Sequence, residues 1–600
     1  MTVITKSGMR KGGDFLIEET PAGEIFTPEE WNEEQKMIAQ SCRDFLQMEV
    51  FPKLDKLDSM EYPDLMPSLL KKCGQLGLLG TSLPEKYGGF GMDFITNLLI
   101  DEAFGSGHSF IVSYAAHTGI GTTPILYFGT EEQKSRYLPD LASGKKLAAY
   151  CLTEPDAGSD ARAGRTRARL DRDRKNYILS GQKMWITNGG FADILIVFAK
   201  IDDDEDLSAF IVESDAEGIY MNEEEKKMGI KGSSTRQIYF NDCRVPVRNQ
   251  LGERGKGFKM ALNILNIGRI KLAAATLGGA KLALRKSIQY AGDRKQFGKT
   301  IGSFGIIKHK LGSMAARLYA TESALYRTGH QIEKNLHEIL EDKPEDTAAR
   351  MKAIGEFAVE CAILKVHGSE MGDFMVDESV QIHGGMGFSA DGPVERGYRD
   401  SRINRIFEGT NEINRMVIID MLLKKAFQGH LDLMSSALQI QKELTSIPDT
   451  RQSRDQDFLS AEKDLLANLK KTTLMIAGAA VNKLMHRLKE EQEILMHLAD
   501  MVIEIYVAES GLLRAEKNLY GEEKNTPQLT LARICLYHAL EIVSRSAREA
   551  IYGFSEGDEQ RMLLLGLKRF TRHEPFNLKE ARREIAGLML ERKGYPAEDL

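Results

Sequence analysis

Apolar residues recur at helical spacing over the first 145 residues of the chain. Thr27-Pro28-Glu29-Glu30 has the form of an N-cap, a proline at the first helical position and an acidic first turn. Apolar positions with a period of about 3.6 follow it from Trp31 to Leu46. The same spacing predicts further helices over 63–76, 92–104, 109–126 and 131–142. We therefore predict an N-terminal arm over 1–26 and a helical domain over 27–147.

The pattern changes near Ala148. Short segments rich in β-branched and aromatic residues alternate with Gly, Asn and Asp turns, which is typical of strands. The predicted strands are 177–180, 183–187, 194–198, 207–212 and 237–240. They indicate a small antiparallel β domain over 148–257, inserted between helical domains.

Helical spacing returns after Gly257-Phe258. Long helices are predicted over 258–294, 304–335, 347–370 and 375–383, with a last one from Asn411 to Leu423. Together they form a helical bundle over 258–428. A polar, proline-containing stretch then predicts a linker over 429–457, and renewed helical spacing predicts a C-terminal helical domain over 458–600. The predicted fold class is mainly α with an inserted antiparallel β domain and a C-terminal helical bundle.

Composition narrows the possible functions. The 600 residues are 42% hydrophobic, which is enough for a large core, and a net charge of -7 argues against nucleic acid as the main partner. Six scattered cysteines with no CxxC indicate neither a metal site nor a disulfide framework and favour a reducing compartment. No signal-peptide core and no apolar run near about eighteen residues is present. We expect a cytoplasmic protein.

One carboxylate has a distinctive position. Glu408 lies in a turn between an apolar segment and a helix, followed by Gly409, which is free in φ and ψ, and by Thr410, a candidate N-cap. This arrangement presents the carboxylate from a fixed turn. The alternative is an acidic residue that makes only a favourable contact with the helix dipole.

Two segments of the β domain could contact a ligand. The loop 151–160, CLTEPDAGSD, can direct backbone N–H groups and hydroxyls at a phosphate or a polar ring edge, or it is an ordinary turn. In 183–190, KMWITNGG, strand alternation places Trp185 and Thr187 on one face. An indole beside a hydroxyl suits a planar heterocycle, whereas the alternative is a tryptophan in the core.

Two further segments lie in the bundle. DRKQFGK at 293–299 ends a long helix with basic residues, which are commonly plain partners of the helix dipole. QIHGGMGF at 381–388 is a glycine-rich turn that permits close backbone approach to a ligand. It is not GxGxxG and follows no strand, so a Rossmann fold is not indicated.

Taken together and in this order, the segments resemble the acyl-CoA dehydrogenase family. The resemblance covers about residues 30–425 and includes RIFEGTNEI at 405–413. The length beyond residue 430 and Phe407 before the glutamate are most similar to the very-long-chain branch, which has an extra C-terminal helical domain. The resemblance implies a helical domain, a β-barrel and a four-helix bundle, with FAD held between them and across a subunit interface.

The resemblance implies that Glu408 is the catalytic base, which removes the α-proton of an acyl-CoA while the β-hydride passes to FAD. Some branches place the base one residue before Arg269, where this chain has Gly268, so that alternative base is absent. Arg269 corresponds to a family residue near the CoA moiety or the cavity mouth. Asn266 stands where medium-chain relatives have aspartate, and Gly409 is the other residue expected at the substrate.

The remaining family residues are implied to contact FAD. Thr153 and Thr187 would approach the flavin ring, Trp185 would flank it, and Ser159 would contact the pyrophosphate. Thr410 and Glu412 would lie near the cofactor. Those expected to serve the FAD of the partner subunit are Arg294, Phe297, Gln381 and Gly385.

The resemblance implies that the protein converts a fatty acyl-CoA, most similarly a long-chain one, to a trans-2-enoyl-CoA. It also implies electron-transfer flavoprotein as the electron acceptor and favours a homodimer over a tetramer. An acyl-CoA oxidase is the nearest rival, but its typical TE-x-GHGS loop differs from TEPDAGS at 153–159. A scaffold that has lost catalysis is a second rival, and the retained Glu408 argues against it. The C-terminal region could touch a membrane, but without a basic face carrying Trp or Phe, packing against the main body is favoured.

Overall fold

The computed structural model describes residues 10–340, 347–445, 459–519 and 526–597. Within these ranges the chain is mainly helical, with a β domain between two helical regions and a further helical region at the C-terminal end. The predicted fold class is confirmed.

The N-terminal domain begins with a turn rather than a long helix. The predicted N-cap Thr27 forms a capping box with Glu30, but it caps a single 3-10 turn. The first α-helix follows Asn32, whose side chain accepts from Gln35 N at 2.8 Å. The single helix predicted over 109–126 is divided by a π-helical turn, and it restarts with Pro124 at an N-terminal position, where the missing N–H is tolerated. The helices are α1 Glu33–Phe45, α2 Leu54–Ser59, α3 Leu65–Gln75, α4 Phe94–Phe104, α5 Ser109–Ala115, α6 Thr123–Phe128 and α7 Glu131–Ala142.

The β domain is one sheet with the order β6-β7-β3-β2-β4-β5-β8, to which β1 adds beside β4. Most pairings are antiparallel as predicted, but β1 and β2 both run parallel to β4. The two strands predicted over 177–180 and 183–187 are one strand, β3, with register shifts against β7. The strands are β1 Ala148–Cys151, β2 Arg167–Leu170, β3 Asn176–Thr187, β4 Ile194–Ile201, β5 Leu207–Glu213, β6 Ile219–Met221, β7 Thr235–Pro246 and β8 Gln250–Leu251.

The bundle is built on two long helices that pack closely, α8 and α11. The predicted break after residue 370 is wrong, because α11 is continuous to His383 and the break lies at Phe357. Gly372 permits the close approach: a Cβ there would lie 2.3 Å from Thr276 Cγ2 of α8. The elements are α8 Gly257–Asp293, β9 Lys295–Gln296, β10 Lys299–Thr300, α9 Gly305–Leu340, α10 Thr347–Glu356, α11 Ala358–His383, α12 Gly385–Phe388, α13 Glu395–Ser401 and α14 Asn411–Phe427.

The C-terminal helices pack against α9 and α14 of the bundle through α17, and against α9 through α20. The structure differs from the predicted linker over 429–457, because α15 lies within it; residues 446–457 are outside the described ranges. One side of α15 packs on α16 with Ile440 buried, while Leu438 is exposed. The helices are α15 Leu433–Thr445, α16 Ser460–Leu484, α17 Gln492–Lys517, α18 Pro527–Phe554, α19 Gly557–Phe570 and α20 Leu578–Arg592.

The described part of the N-terminal arm packs between the bundle and the C-terminal domain. Phe15 is buried, and its ring centroid lies 4.7 Å from that of Tyr506 on α17. The guanidinium of Arg327 on α9 donates to Thr20 Oγ1 at 2.9 Å and pairs with Glu509 at 3.0 Å. The arm is therefore part of the junction between these two domains.

The six cysteines are all buried and carry free thiols. Among the helices of the described ranges, none combines the length and the apolar character that crossing a bilayer requires. The cytoplasmic location stays a prediction.

Candidate active site

Glu408 is presented by a sharp turn at the start of α14. Glu408 and Gly409 have φ of +60° and +84°, so two successive residues adopt the left-handed region. Thr410 caps α14 by accepting from Ile413 N at 3.3 Å, which confirms the predicted N-cap. Asn414 Nδ2 donates to the carbonyl oxygens of Gly409 at 2.7 Å and Thr410 at 3.0 Å. The turn is thus fixed by its own helix.

One oxygen of the Glu408 carboxylate has no hydrogen-bond donor among the described residues. This oxygen is Oε2, and it is buried. A Cβ on Gly268 would lie 2.7 Å from this oxygen, so the carboxylate fills the space that a side chain at 268 would need. The amide N–H of Glu408 likewise has no acceptor in the described part of the chain. One residue therefore offers both a free carboxylate and a free N–H.

The side chain of Arg269 binds the main chain of the turn that contains Glu408. This buried guanidinium donates from Nε to the carbonyl oxygen of Glu408 at 3.3 Å and from Nη1 to Asn266 Oδ1 at 3.0 Å. The structure therefore brings Glu408, Gly268, Arg269, Asn266 and Gly409 together, from α8 and from the turn before α14.

Lys365 on α11 was missed by sequence reasoning, because a single lysine in an apolar helical pattern carries no signal of its own. It is fully buried, and its Nζ donates to Asn411 Oδ1 at 2.7 Å. Burial lowers the pKa of Lys365 to about 8, while the charge of Glu408 acts in the opposite direction. Lys365 is thus a buried cation whose charge acts on the Glu408 carboxylate.

Burial raises the pKa of Glu408 to about 7, and the positive charges of Arg269 and Lys365 act to lower it. A carboxyl group that changes protonation near neutral pH is suited to general-base chemistry, because an efficient base has a pKa near the working pH.

A chain of hydrogen bonds joins this site to the C-terminal domain. Asn411, the acceptor of Lys365, donates from Nδ2 to Glu370 Oε1 at 3.0 Å. Arg415 donates to Glu370 at 2.9 Å and to Asp500 of α17 at 2.7 Å. The C-terminal domain therefore contributes a carboxylate to the network that ends beside Glu408.

Glu408 lies at one end of an apolar cavity between α8, α11 and the α5 region. On α8 one set of lining residues is spaced three to four apart and is mostly small: Gly268, Leu272, Thr276, Gly279 and Ala283. This spacing is one face of a helix. Lys271, Ala275, Ala280 and Leu282 also line the cavity. The lining continues to Lys286, so its length along α8 is about 27 Å at the helical rise of 1.5 Å per residue.

The β domain reaches the same cavity through Thr187. Trp185 is 54% exposed and has a φ of +59° where β3 shifts register against β7, so the alternative of a core tryptophan is wrong. The register shift also interrupts the strand alternation from which a shared face was predicted. Even so, both residues lie off the buried side, since Ile186 between them is buried.

A buried ion pair, also missed by sequence reasoning, holds the loop 153–159 against β3. Lys183 Nζ lies 2.7 Å from Glu154 Oε1, and Met184 N donates to Thr153 O at 2.9 Å. Ser159 at the end of the loop is exposed. Thr153 thus lies directly before the anchoring Glu154 and Ser159 lies after it, and neither is buried, so both remain available to a ligand.

The residues expected to serve a partner subunit form a different surface. Those residues are all exposed, and none of them lines the described walls of the Glu408 cavity: Arg294, Phe297, Gln381 and Gly385. Phe297 is 92% exposed and Phe388 88% exposed. Glu412 is also exposed, and hydrogen bonding to its own backbone N–H lowers its pKa.

Family models match four consecutive parts of the chain. The models for the acyl-CoA dehydrogenase N-terminal and middle domains match residues 32–145 and 149–243. Two models, each described as an acyl-CoA dehydrogenase C-terminal domain, match residues 255–423 and 468–569.

Relatives match over nearly the whole length. A probable acyl-CoA dehydrogenase of Bacillus subtilis is 45% identical over 98% of both chains. The mitochondrial very long-chain specific acyl-CoA dehydrogenase of Rattus norvegicus is 34% identical over 88% of this chain and 76% of its own. A crystal structure of an acyl-CoA dehydrogenase complexed with FAD from Bacillus anthracis has a TM-score of 0.94 at 47% identity and covers 98% of this chain and all of its own. The chain therefore belongs to the acyl-CoA dehydrogenase family.

Proposed function

We propose that this enzyme uses FAD to dehydrogenate long-chain acyl-CoA thioesters to trans-2-enoyl-CoA, with Glu408 as the base. The observation that carries the proposal is the free, buried Oε2 of Glu408 at the end of a long apolar cavity. A carboxylate without a donor in such a place is costly unless a ligand uses it.

Glu408 takes the α-proton of the thioester on its carboxylate. With a pKa of about 7, it is partly ionised at neutral pH and holds the proton once it is transferred. A positioned base contributes about 10² to 10⁴ in rate. The free N–H of Glu408 donates to the thioester carbonyl oxygen, where negative charge develops. Gly268 leaves the room that this carboxylate needs beside the substrate.

The β domain fits FAD. The exposed indole of Trp185 offers a flat surface beside the cavity that Thr187 lines, and the anchored loop 153–159 offers hydroxyls and N–H groups to a phosphate. We assign Thr153, Thr187 and Trp185 to the flavin ring and Ser159 to the pyrophosphate. FAD, when bound, accepts the β-hydride. Electron-transfer flavoprotein is the proposed acceptor, because the loop sequence departs from the oxidase pattern.

The cavity favours a long acyl chain. An extended chain advances about 3.3–3.6 Å for every three bonds, or about 1.2 Å per bond. The stretch of about 27 Å along α8 therefore matches roughly twenty bonds. The far half of this path is lined by the small residues Gly279, Ala280 and Ala283 together with Leu282 and Lys286.

We further propose a homodimer in which each subunit completes the FAD site of the other. Large apolar side chains project from the surface that carries Arg294 and Gln381, namely Phe297, Met386 and Phe388. Such exposed side chains in one region are typical of an interaction site. Light scattering coupled to size exclusion should give twice the chain mass, and a stable FAD-loaded monomer would contradict the dimer.

A kinetic series of saturated acyl-CoAs from C4 to C20 tests the function. With a dye or electron-transfer flavoprotein as acceptor, we expect kcat/KM to be highest at C16 or longer. A maximum at C4 would refute the long-chain assignment, and hydrogen peroxide formed at the turnover rate with oxygen alone would refute the acceptor.

Ala283→Leu tests whether the acyl chain extends along α8, with a short substrate as the control. Ala283 lies about 22 Å along α8 from Gly268, so the added side chain should lower kcat/KM for C18 and C20 substrates and leave C8 unchanged. An equal loss at every chain length would indicate general damage instead of a shortened cavity.

A further inference from the structure

A second cavity lies where the bundle meets the C-terminal domain. Its volume is about 210 Å³, and α9, α11, α17, α18 and α20 form its walls. It shares no lining residue with the Glu408 cavity among the described residues. The proposed dehydrogenation makes no use of it.

Two guanidinium groups face this cavity. The Arg317 guanidinium stacks 3.9 Å from the ring centroid of Phe374, and Nη2 contacts His538 Nε2 at 3.4 Å. The Nε of Arg582 is buried and has no hydrogen-bond acceptor among the residues that the structure describes. Neither arginine has a carboxylate within 4.0 Å in the described part of the chain.

Two fully buried arginines elsewhere in the molecule have carboxylate partners, while buried Arg269 donates to two uncharged oxygens instead. Arg327 pairs with Glu509 at 3.0 Å, and Arg514 pairs with Glu322 at 2.6 Å. A charge removed from water needs a partner of opposite charge, because leaving it unpaired costs several kcal/mol. Arg317 and Arg582 are only partly buried, but both line one cavity without such a partner, and the Nε of Arg582 is buried without an acceptor among the described residues. This arrangement indicates that an anion from outside the chain completes the site.

The neighbouring groups leave room for that anion. Burial and the charges of Arg317 and Arg582 lower the pKa of His538 to about 4, so its Nε2 accepts from Arg317 at neutral pH. Glu378 is already paired with Lys310. Glu504 also faces the cavity and makes no hydrogen bond within the described ranges, and burial raises its pKa to about 7.

We propose that Arg317 and Arg582 form a binding site for a small oxyanion, the phosphate or carboxylate of a metabolite, at this domain junction. The guanidinium fork matches two oxygens of either group. His309 is exposed at the cavity and marks the opening to solvent. A bound anion contacts α9 of the bundle and α20 of the C-terminal domain at once, so it stabilises their contact.

Sulfate is the first probe, because its charge is constant between pH 6 and 8. Isothermal titration of the FAD-loaded full chain should show saturable binding that is at least tenfold weaker in Arg317→Gln and in Arg582→Gln. Arg583→Gln is the control, since Arg583 is the next residue on α20 but is exposed and paired with Glu580. We expect it to bind sulfate as the wild type does.

Phosphate and malonate distinguish the source of the oxyanion. Tighter phosphate binding assigns a phosphate group, and tighter malonate binding assigns a carboxylate. No saturable binding of any of the three, or equal binding in both arginine variants, overturns the site. An anomalous peak of selenate between Arg317 and Arg582 in a crystal supports it, and a peak only elsewhere overturns it.

Glu504→Gln is a test that does not remove either arginine. Glu504 faces Arg317, Asp500, Glu370 and Arg415, and near its pKa of about 7 it becomes protonated as the pH falls. Sulfate should therefore bind severalfold more tightly at pH 6 than at pH 8 in the wild type, and this difference should be clearly smaller in Glu504→Gln. An unchanged pH dependence in this variant would contradict the placement of the anion beside Glu504.

Discussion

Gly268→Ala should displace the Glu408 carboxylate, and so slow the reaction, without destabilising the protein. The added Cβ would lie 2.7 Å from Oε2 and 2.9 Å from Cδ of Glu408, whereas ordinary contact begins near 3.4 Å. The carboxylate must therefore move by about 0.7 Å. Because a misplacement of about 1 Å can cost 10²-fold in rate, we expect kcat to fall roughly 10- to 100-fold. This is about 1.4 to 2.8 kcal/mol in the barrier.

The stability of the Gly268→Ala variant should not fall, although its kcat does. The group that must move is the flexible end of a side chain, so the displacement itself is cheap. Gly268 lies inside α8, where alanine is favoured over glycine by up to about 1 kcal/mol. The melting temperature of the variant should therefore equal or exceed that of the wild type.

The assay is anaerobic reduction of the flavin by palmitoyl-CoA in a stopped-flow instrument, with melting temperatures measured on the same samples. Gly587→Ala is the control, because this helical glycine of α20 has open space around it and lies outside the cavity. It should gain the same helix propensity with no change in rate. A Gly268→Ala enzyme that reduces the flavin within twofold of the wild-type rate would refute the placement of the reacting carboxylate.

Three further substitutions test other parts of the structure. Lys365→Met removes a cation that lowers the pKa of Glu408, so the rising limb of the plot of kcat/KM against pH should move to higher pH. A shift of one pH unit lowers kcat/KM at pH 7 about fivefold. An unchanged pH profile would exclude this role of Lys365. Burial raises the pKa of Glu360 from 4.5 to about 7, so the unfolded chain loses this proton first and wild-type stability falls as pH rises through that window. The melting advantage of Glu360→Gln should therefore grow from pH 4.5 to 7 and then level off in thermal scans. Arg327→Met breaks the buried pair with Glu509 and should lower stability by roughly 3 kcal/mol in denaturant titrations, with faster hydrogen exchange in the arm.

The active-site turn could be predicted from the sequence, because the residues that determine it are neighbours in the chain. The sequence indicated that Gly409 is free in φ and ψ and that Thr410 is an N-cap; in the structure Gly409 is left-handed and Thr410 caps α14. The apolar spacing likewise predicted the long helices, and the β-branched segments predicted most strands. What local patterns cannot provide is which strands pair and in which direction, so the parallel pairing of β1 with β4 was not foreseen.

The residues that tune the base depend on contacts between distant segments. Lys365 comes near Glu408 only because α11 packs beside the turn before α14. The absence of a side chain at Gly268 was visible in the sequence, but its contact with the Glu408 carboxylate requires the packing of α8 against that turn. Trp185 was similarly ambiguous, since its exposure follows from a register shift in β3.

The most direct test of the proposed chemistry is Glu408→Gln, which keeps the size of the side chain and removes its basicity. FAD content, oligomeric mass and acyl-CoA binding should match those of the wild type. We expect acyl-CoA to reduce the flavin at least 10²-fold more slowly in this variant. Bleaching of the flavin at the wild-type rate would show that Glu408 is not the base.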